Sequence, residues 1–149
     1  MILIYLLASF FGLACGATWI FSGAIDFELS GQIALGATMV ITGLFHFVWT
    51  KGMILMMPDF MPFKKFLVYL TGVFEIMVAP GLLLPQTKTI TAVLLIVFLM
   101  FILPANIDAT RKKVNLRKGD FTGPGLEYLK IRIPIQLFFI AWTYWFCLR

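Results

Sequence analysis

The residues able to do chemistry in this sequence stand where chemistry is expensive. Glu75 lies within the run Phe66–Leu84, His46 within Gly31–Thr50, and Asn106 closes Lys88–Asn106. Arg132 and Gln136 lie in Tyr128–Cys147, and all four runs are otherwise almost wholly apolar. A carboxyl and an imidazole can hold or pass a proton. An arginine can pair with the carboxyl, and two amides can orient a polar ligand. Placing an ionised side chain mid-membrane is unfavourable by ~2.5–3.5 kcal/mol on insertion scales, so each such residue implies a function or a partner. Thr38, Thr42 and His46 continue one helical face, and Thr71 stands one turn before Glu75.

Other chemistries lack their residues. There is one histidine, so a multi-histidine haem or metal site is excluded within one chain. Met53, Met56, Met57 and Met61 are soft thioethers suited to Cu(I), but no Cys or His accompanies them in their segment, and no metal site is expected. Zinc spacing, a phosphate loop and a nucleophile elbow are all missing, so no catalytic residue is assigned. Cys15 and Cys147 form no CxxC and read as free thiols packed among helices.

The elements that must position these groups follow from composition. Of 149 residues, 61% are hydrophobic and 13% charged, about half the charge of a soluble domain; the mean hydropathy is +0.97. A bilayer core of ~30 Å takes about 20 helical residues, and five runs of that length fit: Ile2–Phe21, Gly31–Thr50, Phe66–Leu84, Lys88–Asn106 and Tyr128–Cys147. The runs do not alternate, which excludes a membrane β-barrel. Nothing from Met1 to Ile25 is charged, so the first run reads as a retained helix rather than a signal peptide. The expected fold is therefore an all-α membrane protein, one domain over residues 1–149.

Orientation comes from basic residues. Lys51, Lys64, Lys65, Arg111, Lys112, Lys113, Arg117, Lys118, Lys130 and Arg132 fall on one side, against Lys88 and Arg149 on the other. This bias places the N-terminus in the cytoplasm and the C-terminus outside. The net charge of +5 thus reads as a topology signal, and no nucleic-acid partner is expected. Glu75 and Gln136 are each about eight or nine residues into their helices, at similar depth, with Arg132 one turn shallower than Gln136. The expectation is one connected unit of Glu75, Arg132 and Gln136, with His46 and Asn106 at its cytoplasmic mouth. These five residues form the candidate ligand-binding set.

The segment Lys51–Lys65 is too short to span and too apolar for a free loop. It reads as an interfacial lid. Pro80, Pro104 and Pro134 fall in or near spans, where they can bend helices around a cavity. Ala8, Gly12 and Gly16 have a small-xxx-small spacing that permits packing within the bundle or a homo-oligomer.

Six pieces occur in order: Gly43-Leu44-Phe45-His46-Phe47; Met57-Pro58 with Met61-Pro62; Gly72-Val73-Phe74-Glu75; Leu83-Leu84-Pro85; Pro104-Ala105-Asn106; and Arg132-Ile133-Pro134-Ile135-Gln136. Together they resemble the DoxX family of small bacterial membrane proteins, over about Gly31 to Tyr144. The proline that often follows the His-Phe pair in that family is absent here. The resemblance implies a four-helix core over residues 31–147 with residues 1–25 as an additional N-terminal helix, in a bacterial inner (cytoplasmic) membrane. It also implies a redox-associated accessory subunit, with a quinone as candidate cofactor and a membrane-associated oxidoreductase as candidate partner. Two further readings stand beside it: a carrier or receptor for a lipid or similar amphiphile, and an assembly protein whose buried polar groups only specify the bundle.

Overall fold

The computed structural model describes residues 2–149, which form helices and connecting loops. In chain order these are α1 (Ile2–Ser22), α2 (Phe27–Val48), α3 (Thr50–Met56), α4 (Lys64–Leu83), α5 (Lys88–Arg111), a 3-10 turn (Leu126–Tyr128), α6 (Leu129–Thr143) and a π-helical turn (Tyr144–Leu148). Five helical segments are long and apolar enough to cross a membrane: α1, α2, α4, α5 and the continuous stretch Leu126–Leu148. The chain is an all-helical, multi-pass membrane protein. No strand occurs among the described residues beyond a single bridge between Asn115 and Asp120.

Helix ends depart from the sequence expectation where local chemistry acts. Asp26 caps α2, its carboxylate accepting from the Leu29 N–H at 2.9 Å, so α2 starts four residues before Gly31. Thr50, expected as the last residue of that helix, instead opens α3. Lys112 Nζ pairs with Asp108 at 2.9 Å, one turn back, and α5 runs on to Arg111, past Asn106. Pro80, Pro104 and Pro134 all lie inside continuous helices.

α2 is the axis of the bundle. It packs most extensively on α4, then on α1, and meets the end of α6. The α2–α4 crossing is close because small residues face each other on both sides. A Cβ added to Gly36 would stand 3.1 Å from the Ala79 Cα, and one on Gly43 would stand 2.7 Å from the Gly72 carbonyl oxygen. Such contacts supply the packing energy that association in lipid depends on. α1 is peripheral, burying only Leu7 and Ala14.

The two ends of the bundle differ. At one end, Phe11, Trp142 and Phe146 cluster with centroids 4.6–5.6 Å apart, the Trp142 indole donates to the Gly31 carbonyl at 3.1 Å, and Lys88 pairs with Glu28 at 2.7 Å. The other end carries the basic loops, and there the segment after α2 meets the loop after α5. α3 packs on α4 and α5, Gly52 sits against the Leu116 carbonyl, and the Lys51 stem lies over Gly119. The Arg117 guanidinium covers Trp49 at 5.4 Å. Asp59 bridges Lys112 at 3.0 Å and Lys64 at 3.4 Å. Those lysines, Lys112 foremost, hold the Asp59 carboxyl below its ordinary range. Asp108, then Asp59, raise Lys112 in turn. The two loops therefore clasp each other in one cap.

Candidate functional site

His46 and Glu75 come together through a reciprocal arrangement of two similar sequences. Gly43-Leu44-Phe45-His46 on α2 and Gly72-Val73-Phe74-Glu75 on α4 cross antiparallel, glycine against glycine. Each glycine clears space for the other helix's polar residue. A Cβ on Gly72 would meet the His46 Cβ at 2.7 Å, and one on Gly43 would meet the Glu75 Cβ at 3.2 Å. The outcome is an imidazole Nδ1 3.8 Å from a Glu75 carboxyl oxygen, with both side chains largely buried.

The pair is unfinished. His46 Nδ1 lies 3.0 Å from the Thr42 carbonyl, four residues back. A carbonyl only accepts, so this bond makes Nδ1 the donor and leaves Nε2 with the lone pair in the neutral ring. The Thr42 side chain lies beside the Glu75 carboxyl, but its hydroxyl is directed at the carbonyls of Thr38 and Met39, at 3.2 and 3.0 Å. Glu75 Oε2 is buried with no hydrogen-bond partner, a rare condition that calls for a ligand, an ion or a proton. The residues before and after His46 are stacked aromatics: Phe47 on Tyr69 at 5.5 Å and Phe45 on Trp49 at 4.2 Å. Phe47 belongs to the last turn of α2, and Trp49 is the residue between α2 and α3.

Asn106 and Gln136 make a second pair, between α5 and α6. The Asn106 amide donates to the Gln136 oxygen at 3.3 Å, and the Gln136 amide donates to the Leu99 carbonyl. Thr110 closes the group by donating to the Asn106 carbonyl at 2.8 Å. Leu99 precedes Met100, whose carbonyl Pro104 deprives of its helical donor, so Gln136 seats on a stretch where the α5 ladder is interrupted. This group is buried, and its amides bond to each other and to the α5 backbone.

Two expectations are corrected. Arg132 makes no ion pair with Glu75 or with any other carboxylate among the described residues; it lies half-buried on α6 beside Tyr128. The reason is the helix arrangement, in which α4 and α6 both pack on α5 without sharing an extensive face. Nor do the five candidates form one unit. His46 with Glu75 and Asn106 with Gln136 are separate pairs, joined by no hydrogen bond or ion pair among the described residues. Residues passed over at the sequence level are Gln32, which donates to Glu28 at 3.1 Å and to the Phe146 carbonyl at 2.9 Å, and the clasp residue Asp59. The repeated Gly-x-Phe-polar pattern was the available signal for the His46–Glu75 crossing.

A family model described as "Domain of unknown function (DUF8561)" matches residues 35–147, three quarters of the chain. The chain belongs to the DUF8561 family. The matched stretch contains both polar pairs and the cap, and omits α1 together with the first two turns of α2. No curated protein and no solved structure matches the chain. Within this DUF8561 protein, Glu75 Oε2 is the buried oxygen without a partner, and the His46 bond to Thr42 occupies Nδ1 and not Nε2. A protonated Glu75 can donate to a carbonyl oxygen, and neutral His46 Nε2 can accept from a hydroxyl.

Proposed function

We propose that this chain is a membrane-embedded accessory subunit in which His46 and Glu75 bind the oxygen-bearing head of a quinone-class amphiphile and exchange a proton with it. The carrying observation is the buried, unpartnered Glu75 oxygen 3.8 Å from the imidazole. One donor, the Glu75 acid, and one acceptor, Nε2 of the imidazole whose Nδ1 lies 3.8 Å from it, suit both forms of such a ligand. The acid donates to a quinone carbonyl, and Nε2 accepts from a hydroquinone hydroxyl. Flanking aromatic stacks suit a planar ring. Electrons come from a partner oxidoreductase in the same membrane; this chain contributes binding and the proton. The ordered pieces resembling the DoxX family support the same reading. With it go a bacterial inner membrane, a cytoplasmic N-terminus with the basic loops inside, and α1 as an addition to a four-helix core.

The test is retention. Purified protein should carry quinone extractable by solvent and identified by absorbance and mass, at close to one per chain. Glu75→Gln and His46→Ala should lose it while Gln136→Leu keeps it. Quinone absent from all preparations, and not taken up when added, would overturn the reading. An assembly role has its own support in the Asn106–Gln136 group, which ties α5 to α6 through side-chain amide bonds. A lipid other than quinone, retained through His46 and Glu75, would favour the carrier reading instead.

A further inference from the structure

A cleft of about 310 Å³ opens at the basic end of the bundle, lined by Ile54, Leu55, Asp59, Lys64, Lys112 and Phe121. Its two lysines come from different elements: Lys64 is the first residue of α4 and Lys112 caps α5. Both are ends of membrane-crossing helices, so the cleft lies at the level of lipid head groups.

The unequal burial of the ion pairs is the informative feature. The Lys64 and Lys112 side chains are each 24% exposed, whereas Asp59, which they share, is 83% exposed. The lysine side chains are half-buried, and the anion reaches them on a loop arm between α3 and α4. Exposed ion pairs of this kind contribute ~0–1 kcal/mol, so the arm is replaceable. With Asp59 swung away, two lysines and Asp108, which stays on Lys112 at 2.9 Å, leave a net charge of +1. That complements one phosphodiester. Ile54, Leu55 and Phe121 offer an apolar floor that a soluble anion would not use.

We propose that Lys64 and Lys112 form a binding site for the phosphate of an anionic lipid, that Asp59 occupies this site as an internal counterion, and that the lipid head displaces it. Displacement frees the arm that pins the cap, so lipid binding loosens the clasp between the two loops. The proposal does not depend on a ligand at His46 and Glu75, and neither does its test.

Native mass spectrometry of the full chain, in detergent containing phosphatidylglycerol and phosphatidylcholine, reads the site directly. Wild type should retain phosphatidylglycerol preferentially. Asp59→Asn should retain it severalfold more strongly, because the competing carboxylate is gone. Lys64→Gln and Lys112→Gln should each lower retention about fivefold, from roughly 1 kcal/mol per basic residue near anionic lipid. If the lysine variants fail to fold, Asp59→Asn decides alone. Retention unchanged or weakened in Asp59→Asn overturns the proposal. Inorganic phosphate that strips the bound lipid at millimolar concentration would reassign the site to a soluble anion and overturn the lipid claim; failure to strip it supports a lipid source.

Discussion

The His46–Glu75 and Asn106–Gln136 pairs are built alike, each joining two packed helices by polar side chains in an apolar bundle, and they are finished differently. Asn106 and Gln136 spend their bonds on each other and on the Leu99 carbonyl, with Thr110 closing the group. Glu75 keeps a buried oxygen with no partner, and the His46 Nδ1 turns to its own helix. The difference lies in what holds each crossing. Amide bonds help to hold α5 on α6. Glycine contacts hold α2 on α4, and the polar residues there are freed from structural duty. A satisfied polar group is read as structure and an unsatisfied one as a site.

The sharpest way to break this comparison is at the glycines. Gly72→Val should cost about 3 kcal/mol or more, as overpacking of a tight contact does, because its side chain would drive into His46 and the Gly43 carbonyl. Gly12→Val on α1, where an added Cβ meets nothing within 4 Å, should leave the melting temperature in detergent nearly unchanged. Equal losses for the two would mean that glycine packing does not hold the α2–α4 crossing.

A smaller effect should come from Gln136→Leu, near 1 kcal/mol, in line with hydrogen bonds between membrane helices. Thermal unfolding should show that loss while quinone retention stays intact. Glu75→Gln should do the opposite, with stability held or raised because a buried ionisable group is neutralised in shape-conserving fashion, and retention lost. Were Glu75→Gln the more destabilising of the two, Glu75 would be a packing residue.

The smallest effect concerns the clasp between the two loops. Asp59 is depressed by Lys112 and then Lys64, so its stabilising contribution is present above the ordinary aspartate value of about 4 and lost as pH falls through its lower folded value. Hydrogen exchange in residues 57–63 should quicken over that acidic window, and Asp59→Asn should show the fast exchange already at neutral pH. Exchange independent of both changes would detach Asp59 from the cap.

Much of this architecture was legible in the sequence. Five apolar runs became five helices long and apolar enough to span, and the segment between Lys51 and Lys65 packs through α3 on α4 and α5. The pairing of Arg132 with Glu75 failed for a clear reason. Counting residues from a helix start gives height along the bundle and says nothing about which way a face points. Opposite charges one turn apart in height look like partners, yet α4 and α6 share no extensive face. His46 lies two residues from the end of α2, yet the Gly43–Gly72 contact sets it against the middle of α4. Only the glycine contacts fix that offset, and they involve two helices read together.

The most direct measurement uses the fact that His46 is the chain's one histidine. Nitrogen NMR of histidine-labelled protein in lipid nanodiscs reports a single imidazole, with Nδ1 and Nε2 resolved. On adding a short-chain quinol, the Nε2 resonance should move as that nitrogen accepts a hydrogen bond, while Nδ1 stays bonded to the Thr42 carbonyl. The same shift should appear in Gln136→Leu and vanish in Glu75→Gln. An Nε2 resonance unmoved by quinol in wild type, or a shift that persists undiminished without the Glu75 carboxyl, would contradict the assignment of this pair as the ligand site.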